Sequence, residues 1–103
     1  MSIRQEIAED FADYLKQLGF NDVYGVNVEL ITPPTTNGKK ARSYYNVTFC
    51  RTAILDGSVR IFGPNFILVT YTTAIRYLPH RGHFRFDNVA EAKEYFLSTF
   101  GAR

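Results

Sequence analysis

At 103 residues the chain has room for one hydrophobic core and not for two, so a single domain over residues 1–103 is expected. Its 46% hydrophobic content, with seven Tyr and nine Phe, excludes the apolar-poor, charge-rich composition of a disordered segment. The formal net charge is only +2, which by itself selects no class of partner.

The opening stretch, "MSIRQEIAEDFADYLKQLGF", scatters acids among its apolar positions and reads as neither a signal peptide nor a membrane span. Apolar spacing of four, four, four and three through Ile3, Ile7, Phe11, Leu15 and Leu18 predicts an amphipathic helix, with Ala8 and Tyr14 on its flanks. Ser2 and Gln5 have the capping-box spacing, and Gly19 followed by Phe20 is a common way for such a helix to stop.

From Asp22 the period becomes two. Tyr24, Val26, Val28 and Leu30 share one face of a half-buried strand, which Pro33 and Pro34 end because neither can donate a ladder hydrogen bond. Asn37 and Gly38 supply a turn, and alternation resumes with Tyr45, Val47 and Phe49 against Tyr44, Asn46, Thr48, Cys50 and Thr52. This strand is expected to reach about Leu55, with a tight turn at Asp56 and Gly57. Val59 and Ile61 then alternate with Arg60 and Phe62, and "GPN" at residues 63–65 breaks the run before a strand over residues 66–77. "LPHRGH" is expected to turn, and "FRF" adds at most a short extended piece. Asn88 with Glu91 repeats the capping-box spacing ahead of a closing helix striped by Val89, Ala92, Phe96 and Phe100, with Tyr95 beside it.

The expected order is α-β-β-β-β-α. This is an α+β two-layer sandwich in which an antiparallel sheet of about four strands carries both helices on its Val/Ile/Tyr side. In topology alone it resembles the double-stranded-RNA-binding domains, which run α-β-β-β-α with both helices on one side. Those domains begin their last helix with a lysine-rich phosphate clamp where this chain has "DNVAEAKEY", so the resemblance does not extend to function.

The modest net charge conceals a segregation. Residues 1–31 carry −4 and residues 86–103 carry −1, while residues 32–85 carry +7, with Asp56 as the one acid among eight bases. Helices are therefore acidic, and strands and loops basic. The sheet face away from the helices is expected to present Tyr44, Asn46, Thr48, Thr52, Arg60, Thr70, Thr72 and Arg76, with Lys39, Lys40 and Arg42 in a loop at its rim.

No catalytic signature accompanies this surface, and an enzyme is not expected. His80 and His83 lack enough further ligands for zinc, so neither a metal nor another cofactor is expected. The glycine in "NGKK" is followed by no helix of the phosphate-binding kind. The carboxylates of Asp10 and Asp13, or of Glu91 and Glu94, lie on outward helix faces, and Cys50 reads as a small strand residue.

The sequence thus points to a non-enzymatic binding module of the cytoplasm, with no membrane role, whose basic strands and loops engage an anionic macromolecule. Nucleic acid is favoured over an acidic protein surface. Lys39, Lys40 and Arg42 would form an electrostatic arm, Arg60 and Arg76 would position the partner, Tyr44 and Tyr45 would stack or pack, and Arg81 and Arg85 would extend the patch. The alternative is a protein-binding module, such as a small phage-type inhibitor of a host protein or an assembly subunit, acting through the sheet edge around residues 26–30. The same edge offers a route to homo-oligomers.

Overall fold

A computed structural model describes residues 2–20, 25–34, 38, 42–50, 55–73 and 81–100. The chain forms α1 (Ile3–Gln17), β1 (Asn27–Ile31), β2 (Tyr44–Cys50), β3 (Leu55–Gly63), β4 (Phe66–Thr73), β5 (Arg81–Phe86) and α2 (Val89–Phe100). Both helices begin where their side chains can cap them. Ser2 Oγ accepts the Gln5 backbone N–H at 3.1 Å, and Asn88 Oδ1 accepts that of Glu91 at 2.8 Å, satisfying donors that the first helical turn leaves without partners. Gln5 turns its own amide toward Glu9, so only half of the capping box forms. At its other end α1 closes with Gly19 at φ 100° and with Phe20 N–H bonded back to the Leu15 carbonyl at 3.0 Å. This brings the Phe20 ring under the helix, fully buried.

Among the described residues five strands form an antiparallel sheet in chain order, β1-β2-β3-β4-β5, each hydrogen-bonded to its neighbour in sequence. The register puts Val28, Val47, Val59, Val69 and Phe84 in one row across the sheet, and Leu30, Tyr45, Ile61, Ile67 and Phe86 in the next. Both helices cover this side: α1 lies over β1, β2 and β3, and α2 over β4 and β5. Tyr14 joins the helices by donating to the Lys93 carbonyl at 3.0 Å, and the Lys93 ammonium pairs with Asp10.

Between the layers is a core with a large aromatic share. Phe11, Phe20, Phe49, Phe96 and Phe100 meet in edge-on or tilted pairs 5.2–6.2 Å apart. The predicted stripes are those that face inward, with one exception. Ala8, Phe11, Leu15, Ala92, Phe96 and Phe100 are buried, but Ile3 in the first turn of α1 remains 62% exposed.

Three expectations change. Among the described residues the sheet has five strands where about four were expected, because residues 81–86 pair along β4 and form a full edge strand. Asp56 and Gly57 are not a turn. They lie inside β3, opposite Cys50 and Phe49 on one side and Thr72 and Tyr71 on the other. The reversal before β3 and the residues 74–77 expected to extend β4 fall outside the described residues. Of "HRGH", Arg81, Gly82 and His83 belong to β5, while His80 is outside the described residues. Among the described residues no helix is long and apolar enough to cross a membrane.

Candidate functional site on the open face of the sheet

The side of the sheet turned away from the helices presents Glu29, Asn46, Arg60, Leu68 and Arg85 as one cross-strand row. A second row toward the β3–β4 hairpin holds Ile31, Tyr44, Phe62 and Phe66. Its geometry depends on an irregularity in β3. Between Ile61, which faces Ile67, and Gly63, which faces Phe66, the register shifts by one, so Phe62 and Gly63 together oppose Phe66. A bulge of this kind sharpens the local twist and re-aims a side chain. Here it brings the Phe62 ring onto Phe66, stacked at 4.8 Å and 28°, with Tyr44 tilted against its other flank at 5.0 Å. All three rings are half-buried on a face that, among the described residues, no helix covers.

Three arginines surround these rings. The Arg60 guanidinium lies over Tyr44 at 5.3 Å, and that of Arg85 over Phe66 at 4.3 Å. Arg42, from the segment entering β2, reaches across to Phe62 and Phe66 at 5.6 and 5.8 Å and donates to the Phe62 carbonyl at 3.2 Å. A guanidinium over an exposed ring gains about 0.5–1 kcal/mol, enough to orient the side chain but not to neutralise its charge. Asp87, at 3.5 Å from Arg85 and largely exposed, is the acid that approaches this group. Glu29 sits at the β1 end of the neighbouring row, and Asp56 at the opposite end of the sheet, where Thr72 donates to it.

Beside Arg60 in the first row, Asn46 Oδ1 is covered by its neighbours and has no hydrogen-bond partner among the described residues. Toward the other end, Thr70 and His83 meet at 3.3 Å. Among the described residues no group of three or more His, Cys, Asp or Glu side chains is placed to hold a metal ion.

Of the residues expected to bind, Arg42, Tyr44, Arg60 and Arg85 converge. Tyr45 does not join them: it points to the helix-covered side, where Arg4 of α1 lies 5.7 Å over its ring while bonding to the Ser43 carbonyl at 2.9 Å. The cause is the period of two, which sends neighbours on a strand to opposite faces. Tyr45 is thus part of the packing of α1. The Arg81 position opens β5 opposite Thr72, toward the far end of the sheet from Tyr44. Lys39, Lys40 and Arg76 lie outside the described residues.

Phe62 and Phe66 were absent from the expected site. Alternation with Val59 and Ile61 had already placed Phe62 on the Arg60 face, but nothing in the residue types indicated that a bulge would bring it into one stack with Phe66. Chemically, the assembly offers guanidiniums lying over aromatic rings, with N–H donors at their edges. Such surfaces suit planar and anionic groups together. No family model, curated protein or solved structure matches the chain.

Proposed function

We propose that the open face binds single-stranded nucleic acid, without catalysis, through Arg42, Arg60 and Arg85 on the Tyr44–Phe62–Phe66 stack. The observation that carries this reading is the convergence of three guanidiniums on three adjoining rings at one end of an uncovered sheet. A guanidinium placed over a ring keeps its N–H edges available for phosphate oxygens, and its exposed side can meet a base. Aromatic and arginine stacking tolerates any base, and contributes about 1–3 kcal/mol per base in single-strand binders. A duplex hides its base faces and would use only the charges. An acidic protein surface would likewise use the charges and leave the stacking planes idle.

The test is an anisotropy titration of labelled single-stranded RNA and DNA, the matching duplexes, and a polyglutamate peptide, over a range of salt. Single strands are expected to bind more tightly than duplexes and polyglutamate. Affinity should fall with salt at a logarithmic slope of about 0.7 per phosphate contacted. Replacing Arg42, Arg60 and Arg85 together by Gln should weaken binding by at least about tenfold and reduce that slope by about 2, with the fold retained by circular dichroism and the melting temperature lowered only as far as the lost ring contacts account for. Absence of binding at low salt, or equal affinity for polyglutamate, overturns the proposal.

A further inference from the structure

Next to the arginine row, one step further from the β3–β4 hairpin, the open face carries Thr48, Ser58, Thr70 and His83 on four successive strands. Along β5, His83 stands two residues from Arg85 on the same face, a separation of about 7 Å. Its side chain is exposed, and its Nδ1 lies 3.3 Å from the hydroxyl of half-buried Thr70, opposite it on β4.

Few charged groups face this pair. On β5 they are Arg85 and the Arg81 position, two residues to either side of His83. On β4, Thr70 has Leu68 and Thr72 as its neighbours on the face, and neither titrates. On β3, Ser58 has Arg60 on one side and Asp56 on the other, and Asp56 already accepts the Thr72 hydroxyl. Asp87, beyond β5, approaches Arg85. Among the described residues no carboxylate pairs with the imidazole, and no helix packs over it.

Protonation changes what the pair can donate. In one neutral tautomer the Thr70 hydroxyl donates to Nδ1 and leaves Nε2–H as the one free donor. In the other, Nδ1–H donates to Thr70 Oγ1, which frees the hydroxyl but leaves Nε2 as an acceptor that repels an anion. The imidazolium donates from both nitrogens. Nδ1–H then serves Thr70, and the hydroxyl and Nε2–H are both left to donate, with a positive charge behind them.

We infer that Thr70 and His83 together bind a backbone phosphate of the single strand, next to the one held by Arg85, with His83 as the imidazolium. This inference rests on the nucleic-acid reading of the open face and adds to it a contact that acid strengthens. Arginine keeps its charge at every pH at which the protein works, whereas imidazole is the side chain that ordinarily changes charge between about pH 5 and 8.

The probe is a labelled oligouridylate, whose bases and phosphodiesters do not titrate between about pH 5.5 and 8, added to the full chain at both ends of that range over a series of salt concentrations. Binding at the lower pH is expected to be about three- to tenfold tighter, with a logarithmic salt slope steeper by about 0.7, equivalent to one further phosphate. His83→Gln should bind as the intact chain does at the higher pH, within about twofold, and lose both changes on acidification. Thr70→Val should keep the steeper slope, which reports the charge, while its gain in affinity shrinks by at least about twofold. Equal affinity and slope at the two pH values, with the strand still bound, overturns this inference alone. So does an acid gain that survives His83→Gln or is untouched by Thr70→Val. Absence of binding at both pH values overturns the nucleic-acid reading and this inference with it.

Discussion

Tyr71 is flanked on both neighbouring strands by glycine, Gly57 on β3 and Gly82 on β5. The two glycines are what let a tyrosine lie flat in this core. A Cβ on Gly82 would run into the Tyr71 ring, and one on Gly57 would collide with the Thr70 carbonyl and come within 2.7 Å of the Tyr71 Cβ. The first clash is with the movable end of a side chain and the second with the backbone, so Gly57→Ala is expected to cost more, about 1–3 kcal/mol in chemical denaturation, and Gly82→Ala less. Beyond Gly82 the Tyr71 hydroxyl meets that of Tyr95 at 3.0 Å. Burial, then the hydrogen bond and charge of Tyr71, push the Tyr95 phenol well above its ordinary value near 10. The neutral phenol is thus favoured in the folded state. Its contribution to stability is whole below the unfolded value and is lost as pH rises beyond about 10 toward the raised folded value. Tyr95→Phe should lower stability at neutral pH by about 1–3 kcal/mol, by stranding the Tyr71 hydroxyl, and should flatten the alkaline decline. Denaturant melts between neutral and strongly alkaline pH would show both effects.

At the scale of single elements, the helices are the parts whose ends the residues themselves announce. Ser2 and Asn88 each satisfy one backbone donor, and Ser2→Ala or Asn88→Ala should cost about 0.5–2 kcal/mol each. The two costs should add in the double variant, since the caps belong to different helices and share no partner. Thermal or urea melts would measure them. Apolar stripes were equally legible, because burial of one helix face leaves a period that no other element produces. The strands were legible in their faces and not in their ends. Asp56 and Gly57 carry a strong local turn signal, yet pairing on both sides extends β3 through them: Gly57 is needed there for the space beside Tyr71, and Asp56 receives the Thr72 hydroxyl. Tertiary pairing outweighed the local preference. Similarly β5 carries a glycine and a histidine that read as turn residues, and it exists because β4 offers it an edge.

For the whole molecule, the segregation of charge along the sequence becomes a segregation in space. The acids of α1 lie over one side of the sheet, with Glu9 and Asp13 beside β1, and Arg42, Arg60 and Arg85 gather on the other side near the β3–β4 hairpin. Alternation on the strands placed Arg60 on the face away from the helices, while Arg42 and Arg85 were expected in a loop and near a turn. It could not foresee the clustering, which depends on the bulge at Phe62 and on the reach of Arg42 across two strands. Chain-order pairing of the sheet has a further effect, on how the fold is reached. Each strand closes against the strand just before it, so the connection closed at each step runs from 2 residues (64–65) to 12 (32–43), and the closure entropy grows only slowly with that length. The helix that leads the chain is different. Although α1 can settle on β2 and β3 early, its Phe11 meets Phe96, and its Asp10 meets Lys93, only after α2 has been made. A nascent chain emerging N-terminus first therefore carries an amphipathic α1 whose seat stays unfinished until α2 arrives, and cooperative locking of the domain waits for that second helix.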